Sequence, residues 1–329
     1  MLVGGEGTRL RPLTLTTPKQ MLPVAGRPMI ERVVAHLADH GVDDVVLSLG
    51  YRPDAFRDAY PTGRCAGARL VYAVEDHPLD TAGAVAFAAR EAGIDDTFVV
   101  LNGDVLTNLD VAALVSFHRS RAATASIALA AVDDPSAFGV VVTDRDGRVR
   151  EFVEKPPRDK APSNLVNVGV YVLDPAVLDR IPPGRRVSIE RETFPALVAE
   201  QALFALPSEA SWLDVGTPAK YLASNLELGA VDGGVSDADV CHSVLGEHVE
   251  IGAGATVERS VLHDGVRVGK GATVRGSIVG AGAIIGEGAQ VEGLTVLGSG
   301  VAVEPGRHLS GERLPAVPAA GAAATGTAQ

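Results

Sequence analysis

Near its start the chain reads Gly4-Gly5-Glu6-Gly7-Thr8-Arg9-Leu10-Arg11-Pro12-Leu13, and Pro18-Lys19 follows shortly after. Residues without a Cβ let the backbone approach phosphate oxygens closely and aim its N–H groups at them. Arg9 and Lys19 add fixed positive charge to the same stretch. The chemistry this suits is the gripping of a polyphosphate. Two familiar phosphate loops are excluded. A Walker A loop needs Gly-Lys-Ser/Thr, which this segment lacks, and the dinucleotide fingerprint needs a further glycine at position 10, where Leu10 stands. On residue types alone the turn also reads as structural.

Two aspartates follow apolar runs. Asp104 comes after Phe98-Val99-Val100-Leu101-Asn102-Gly103, and Asp214 lies in Trp212-Leu213-Asp214-Val215-Gly216-Thr217-Pro218. Mg²⁺ commonly takes one or two protein carboxylates and fills its other positions with phosphates and water, so two strand-end aspartates fit such an ion. The stretch Phe152-Val153-Glu154-Lys155-Pro156 adds a basic group, and Asn167-Val168-Gly169 a polar turn. By type alone Lys155 also reads as a solvated surface lysine, with Glu154 its rim partner.

The first of these segments, taken whole, resembles the nucleotidyltransferase family that makes sugar nucleotides. The family signature runs GGxGTRLxPLTxxxPKxxxPV, and the match extends from Gly4 through Lys19 to Pro23-Val24. Val187-Ser188-Ile189-Glu190-Arg191-Glu192-Thr193-Phe194-Pro195 and Val100-Leu101-Asn102-Gly103-Asp104-Val105-Leu106 resemble the branch that joins GTP to mannose 1-phosphate. The resemblance implies that Leu2, Gly4, Gly5, Gly7, Thr8, Glu75, Thr81, Gly83 and Asn102 bind the nucleotide. It implies that Arg9, Lys19 and Lys155 are catalytic, and that Gly139, Glu154, Asn167 and Gly169 hold the sugar phosphate. Asp104 and Asp214 are implied as ligands of Mg²⁺. Asp80 stands where the family usually has glycine. The implied reaction is in-line attack by a sugar-phosphate oxygen on the α-phosphorus, with pyrophosphate leaving. A phosphate monoester is already ionised near neutral pH, its second pKa being about 6, so no general base is required. Thymidylyl-, uridylyl- and adenylyl-transferring relatives share this core and stay open as alternatives, as does a non-catalytic regulatory subunit.

These groups need elements to position them. Up to about residue 228, compact apolar strands at 45–49, 98–101 and 125–132 alternate with helical stretches. Ile30, Val33, Val34 and Leu37 recur at helical spacing between Pro28 and Gly41, and a second helix spans about 82–92 before Gly93. This alternation predicts an α/β, Rossmann-like, mostly parallel sheet with helices on both faces, binding ligands beyond the carboxyl ends of its strands. After residue 234 the pattern changes. Residues 251–267, 268–284 and 285–301 align without gaps at a period of 17, each opening on an apolar residue and glycine, and Ser243, Ser260 and Ser277 keep that period. Apolar residues at steps of six, five and six predict a left-handed parallel β-helix of hexapeptide repeats, with glycine at corners where a Cβ would clash. The expected domains are 1–228 (catalytic), 229–305 (β-helix) and 306–329, a disordered tail of Ala, Gly, Pro and Thr.

A formal charge of −12 excludes a domain-wide basic footprint for nucleic acid or an anionic membrane. No apolar run reaches the ~18 residues of a membrane span. Cys65 and Cys241 lack metal-type spacing, as expected of reduced thiols in a cytoplasmic protein. The expected partners are a nucleoside triphosphate, a sugar 1-phosphate and further copies of the chain through the coils. A different class, acyl transfer by the β-helix, would need a catalytic histidine at a subunit cleft. His242, His248 and His263 are the coil histidines, and their plain reading is exposure. Finally, only Met1-Leu2-Val3 precede the glycine pair, against ~5–6 residues in an ordinary strand. The expectation is a natural start at least four residues upstream, rich in Val, Ile or Ala, with Met1 an internal codon; intact-mass measurement from the native host reads it.

Overall fold

Strands that are apolar on both faces require helices on both faces, and the computed structural model, which describes residues 1–235 and 237–316, has that arrangement. By its contacts the chain falls into two units: Met1–Glu6 with Met29–Asp214, and Gly7–Pro28 with the residues from Val215 onward.

In the first unit Asp44–Leu49 and Ala68–Val74 run parallel, and Arg64–Cys65 returns antiparallel beside the latter. A separate six-stranded sheet holds Phe98–Leu101, Ala125–Ala131, Gly139–Thr143, Val149–Glu154, Leu165–Leu173 and Leu203–Pro207. Leu2 joins the two sheets, pairing in parallel with both Ser48 and Asn102. The strand directions are mixed rather than mostly parallel. Leu165–Leu173 runs antiparallel to Phe98–Leu101 on one side and to Ala125–Ala131 on the other. The chain reaches it through the hairpin of Gly139–Thr143 and Val149–Glu154 instead of a helical crossover, and antiparallel neighbours need no crossover.

Met29–Asp39 buries Met29, Ile30, Val33, Val34 and Leu37, the stripe its spacing predicts. Asp80–Glu91 and Phe194–Ala199 cover one face of the six-stranded sheet, where Ala82, Val85 and Ala86 meet Ile127, Tyr171 and Leu197. Val111–Arg121 covers the opposite face: its buried His118 lies 3.0 Å from the hydroxyl of Ser126, which alternates with Ile127 along the strand.

In the second unit three parallel ladders stack, one per face of the left-handed β-helix. Val257, Val274, Val291 and Leu309 line one inner face, Leu262, Val279 and Leu297 another, and Val268, Ile285 and Val303 the third. A Cβ at Gly252, Gly269 or Gly286 would stand 2.5–2.6 Å from a backbone nitrogen of the next coil, which explains the corner glycines. The period departs from expectation once. Thr273 pairs with Gln290, a step of 17, but Ile285 pairs with Val303, a step of 18. The extra residue sits at the corner Gly293-Leu294, where both residues have positive φ, so the unit expected at 285–301 closes one residue later.

The coils also outrun their expected end at 305. His308–Ser310 and Arg313–Leu314 continue the ladders in register, and residues 317–329 of the expected tail lie outside the described residues. Within the second unit the phosphate-loop segment bonds to the coils. Arg313 Nη1 donates to the carbonyls of Arg9 at 3.2 Å and Arg11 at 3.4 Å, and the hydroxyls of Thr16 and Ser299 are 3.4 Å apart.

The periodic serines form a buried ladder. Ser260 N–H donates to Ser243 Oγ at 3.1 Å and Ser277 N–H to Ser260 Oγ at 3.2 Å, while each hydroxyl donates to the carbonyl two residues before it. Removing one hydroxyl strands a buried amide. Ser260→Ala should lower the unfolding free energy by about 1–3 kcal/mol in denaturant titration; an unchanged midpoint would show the ladder to be idle.

Candidate active site

The carboxyl ends of the parallel strands open on a cavity of about 400 Å³ lined by Leu2, Gly4, Gly5, Glu6, Glu75 and Thr81 among others. That is where a nucleotide is expected in an open α/β sheet. Gly4 and Gly50 meet there backbone to backbone: a Cβ on Gly4 would lie 3.2 Å from Gly50 N, and one on Gly50 would lie 3.1 Å from Gly4 O. Glu75 builds the far wall. Its Oε1 accepts from Ser48 Oγ at 2.9 Å and its Oε2 from Leu79 N–H at 3.0 Å, fixing the turn between strand and helix.

Thr81 reaches the cavity, yet its hydroxyl donates to Glu190 Oε2 and accepts from Ile189 N–H, both at 2.8 Å. Gly83 does not line it. A Cβ there would lie 2.6 Å from Arg185 O, so this glycine admits the chain at 185–187 against the helix. Gly50, Tyr51 and His77 also line the cavity, and sequence reasoning missed them; Gly50-Tyr51 directly follow the strand Asp44–Leu49, so the strand-end rule would have found them.

Asn102 is the junction between this cavity and a second group of residues. Its backbone pairs with Leu2 and donates to Gly169 O at 2.9 Å, and its amide group occupies the place a Cβ on Gly169 would need. Gly169, at φ +77, sits inside a bulge where the pairing of Leu165–Leu173 slips between Asn167 and Tyr171. Asn167 holds the bulge: Oδ1 accepts from Gly169 N–H at 2.9 Å and Nδ2 donates to Tyr171 OH at 3.0 Å. One amide hydrogen and one lone pair remain for a ligand. Gly139 lies opposite Glu154 in the hairpin, and a Cβ there would meet the Phe152 ring at 2.6 Å and Glu154 Oε2 at 3.0 Å. Its lack of a side chain makes room for those neighbours. Lys155, in the left-handed region at φ +50, places Nζ 3.0 Å from Glu154 Oε1.

A two-stranded ribbon, Val105–Thr107 antiparallel to Trp212–Asp214, sets Asp214 opposite Val105 and so brings its backbone near that of Asp104. Among the described residues no cluster of three or more His, Cys, Asp or Glu forms. Two hard carboxylates alone suit a hard divalent cation that draws its other ligands from phosphate and water, and do not make a closed zinc site. Burial, and then the charges of Glu190, Glu154 and Asp104, push the Tyr171 phenol above its ordinary pKa, with the Asn167 bond opposing. The phenol stays neutral.

In the second unit the phosphate-loop segment turns at Gly7, φ +62, whose carbonyl accepts from Thr14 Oγ1 at 2.9 Å. Thr8 and Arg9 are exposed in the turn Thr8–Leu10, and Lys19 is buried in the turn Lys19–Met21. Beside Lys19, Gln20 Oε1 is buried without a hydrogen-bond partner. His263 is buried, so neither the exposed reading nor an accessible acyl-transfer histidine describes it.

Residues 1–230 match the family model described as Nucleotidyl transferase, and residues 237–318 that described as GMPPB C-terminal domain. A mannose-1-phosphate guanylyltransferase of Mycobacterium tuberculosis is 43% identical over 230 residues, covering 69% of this chain and 63% of the relative. A mannose-1-phosphate guanyltransferase of Candida albicans is 41% identical over 233 residues, covering 68% and 62%. The match thus spans less than two thirds of these curated relatives. Among solved structures, HddC from Yersinia pseudotuberculosis complexed with GMP-PN superposes with a TM-score of 0.58 at 28% identity, covering 69% of this chain and 96% of that one.

Asp80, where the family usually has glycine, adopts φ +62, and its Oδ1 accepts from Thr81 N–H at 2.8 Å. Asp tolerates this left-handed region better than most residues, so the turn survives the substitution. Asp80→Gly should change stability by less than about 1 kcal/mol, whereas Asp80→Val should cost about 1–2 kcal/mol. Equal effects in denaturant unfolding would remove backbone conformation as the reason.

Proposed function

The chain belongs to the nucleotidyl transferase family, and from that premise we propose that it joins a nucleoside triphosphate to a sugar 1-phosphate with release of pyrophosphate, the pair being GTP and mannose 1-phosphate. The observation that carries the reading is the junction at Asn102, which ties the strand-end cavity to the Gly169 bulge two residues before Asp104. GTP and mannose 1-phosphate are taken from the names of the curated relatives.

In the proposed reaction a sugar-phosphate oxygen forms the new bond to the α-phosphorus while the bond to the β-phosphate bridge breaks, its electron pair leaving with pyrophosphate. The nucleophile is ionised above its pKa of about 6, so no side chain need take a proton. Catalysis then reduces to holding two polyanions in line and neutralising charge. Glu75 and Thr81 shape the wall against the base. Lys155 exchanges its Glu154 partner for the sugar phosphate, and Asn167 offers its spare donor and acceptor to the sugar. Arg9 and Lys19 grip the triphosphate and the leaving group. Asp104 and Asp214 would hold a divalent ion, Mg²⁺ by the hardness of its donors, which when bound supplies charge neutralisation on the phosphates. Assembly of copies through the coils, on which Ile284 stands exposed, is part of the same proposal and is read by light scattering.

A pyrophosphate-release screen of several nucleoside triphosphates against several sugar 1-phosphates tests the assignment, and the highest kcat/KM is expected for GTP with mannose 1-phosphate. In the same assay Asp104→Asn and Asp214→Asn should each lose more than about tenfold, or ~1.4 kcal/mol in barrier. A variant that keeps more than about a tenth of the rate at saturating Mg²⁺ takes that residue out of the metal site.

A further inference from the structure

The helix Pro218–Gly229 carries Tyr221 and Asn225 one turn apart on one face, both buried. Tyr221 hydroxyl bonds to the carbonyl of Pro23, and its oxygen lies 2.8 Å from His263 Nε2 on the coil of residues 251–267. The protons can be assigned. A carbonyl only accepts, so the single phenolic hydrogen goes to Pro23, and His263 must donate through Nε2–H to the Tyr221 oxygen. Burial pushes the imidazole down to about 4, with Asp264 opposing, so it stays neutral in that tautomer near pH 7. Asn225 adds a second hold: Nδ2 donates to Tyr221 O at 2.9 Å and Oδ1 accepts from Ala25 N–H at 2.9 Å. Ala25 is left-handed at φ +47, and a Cβ on Gly229 would lie 2.4 Å from its methyl group. A conformation that alanine rarely adopts is therefore held by the helix on two sides.

The segment so held contains Lys19. The turn Lys19–Met21 ends with Leu22 N–H donating to Lys19 O at 3.1 Å, and Pro23 follows at once. We propose that Tyr221, oriented by His263, is a positioning residue that fixes residues 18–24 and with them the Lys19 ammonium for the triphosphate. This rests on the reading of Lys19 given above. Lysine has a long flexible stem, and its usefulness at a fixed phosphate depends on how firmly its backbone and first methylenes are held. The coils thereby act on the reaction as well as on assembly, since the donor that completes the phenol's bonding comes from one of them.

The test uses the full-length chain with Tyr221→Phe, which keeps the ring, together with His263→Leu and His263→Gln, the last retaining a side-chain N–H donor. Two readouts are taken: amide hydrogen exchange of Met21 and Leu22 without nucleotide, and steady-state kinetics varied separately in triphosphate and sugar 1-phosphate. Tyr221→Phe and His263→Leu should quicken exchange and lower kcat/KM for the triphosphate, each on the order of tenfold, while KM for the sugar 1-phosphate stays within about twofold. His263→Gln should recover most of both effects. Unchanged exchange in Tyr221→Phe would overturn the pin, and quickened exchange with unaltered triphosphate kinetics would overturn its role in positioning. Should Tyr221→Phe fail to fold, the two His263 variants decide the same questions. If the wild-type chain releases pyrophosphate from no triphosphate, the functional reading fails while exchange still decides the pin.

Discussion

The backbone of Leu2 lies between two strands, its N–H donating to Leu101 O at 2.9 Å and its carbonyl accepting from Gly103 N–H at 2.9 Å, while Val3 N–H donates to Ser48 O at 3.1 Å. With Ser48 N–H donating to Met1 O at 3.0 Å, those bonds join Asp44–Leu49 to Phe98–Leu101. The first unit's part of the site refers back to them. They set Gly4 against Gly50, bring Asn102 beside the glycine loop, and through Asn102 fix the bulge at Gly169. A backbone hydrogen bond contributes only about 0.5–1.5 kcal/mol net, but here a few of them set the distances between groups that come from distant parts of the chain.

Much of this was legible beforehand, for reasons that can be named. The stripe of the first helix, the spacing of the coils and the glycine loop are local patterns, and local geometry follows from them directly. Asp104 and Asp214 were readable as strand-end carboxylates because a turn follows each apolar run. The antiparallel course of Leu165–Leu173 was not, since an apolar run has no visible direction. The shift from 17 to 18 residues in the third coil was hidden because it falls at a corner, where an added residue disturbs no inward side chain. Gly83 was assigned to the nucleotide through its neighbours in a motif, whereas its own surroundings are the backbone at Arg185. The hold on residues 18–24 by Tyr221 joins positions 198 apart in sequence, beyond the reach of any local pattern.

Several residues placed in the site by resemblance serve the frame as well. Glu75 and Thr81 have their oxygens engaged within the chain, and Asn167 keeps only part of its hydrogen-bonding capacity for a ligand. Pre-formed bonds of this kind keep the walls in place before anything binds, which is what positioning catalysis demands. The second unit uses the same economy of means: the hydroxyls of Ser243 and Ser260 each accept from an amide of the next coil and donate to a carbonyl of their own.

The pair between Lys155 and Glu154 has a consequence for how an anion is captured. An exposed lysine ordinarily wanders among many rotamers and must give up that freedom when it closes on a ligand. Here the ammonium is already tethered, at 3.0 Å, by a carboxylate on the adjacent residue. On the proposed reading, arrival of a sugar phosphate is a partner swap and not an ordering event. The displaced glutamate is left for a sugar hydroxyl, and because the lysine end of the pair is exposed and such a tether is weak, the lysine is kept ready without being kept from its task.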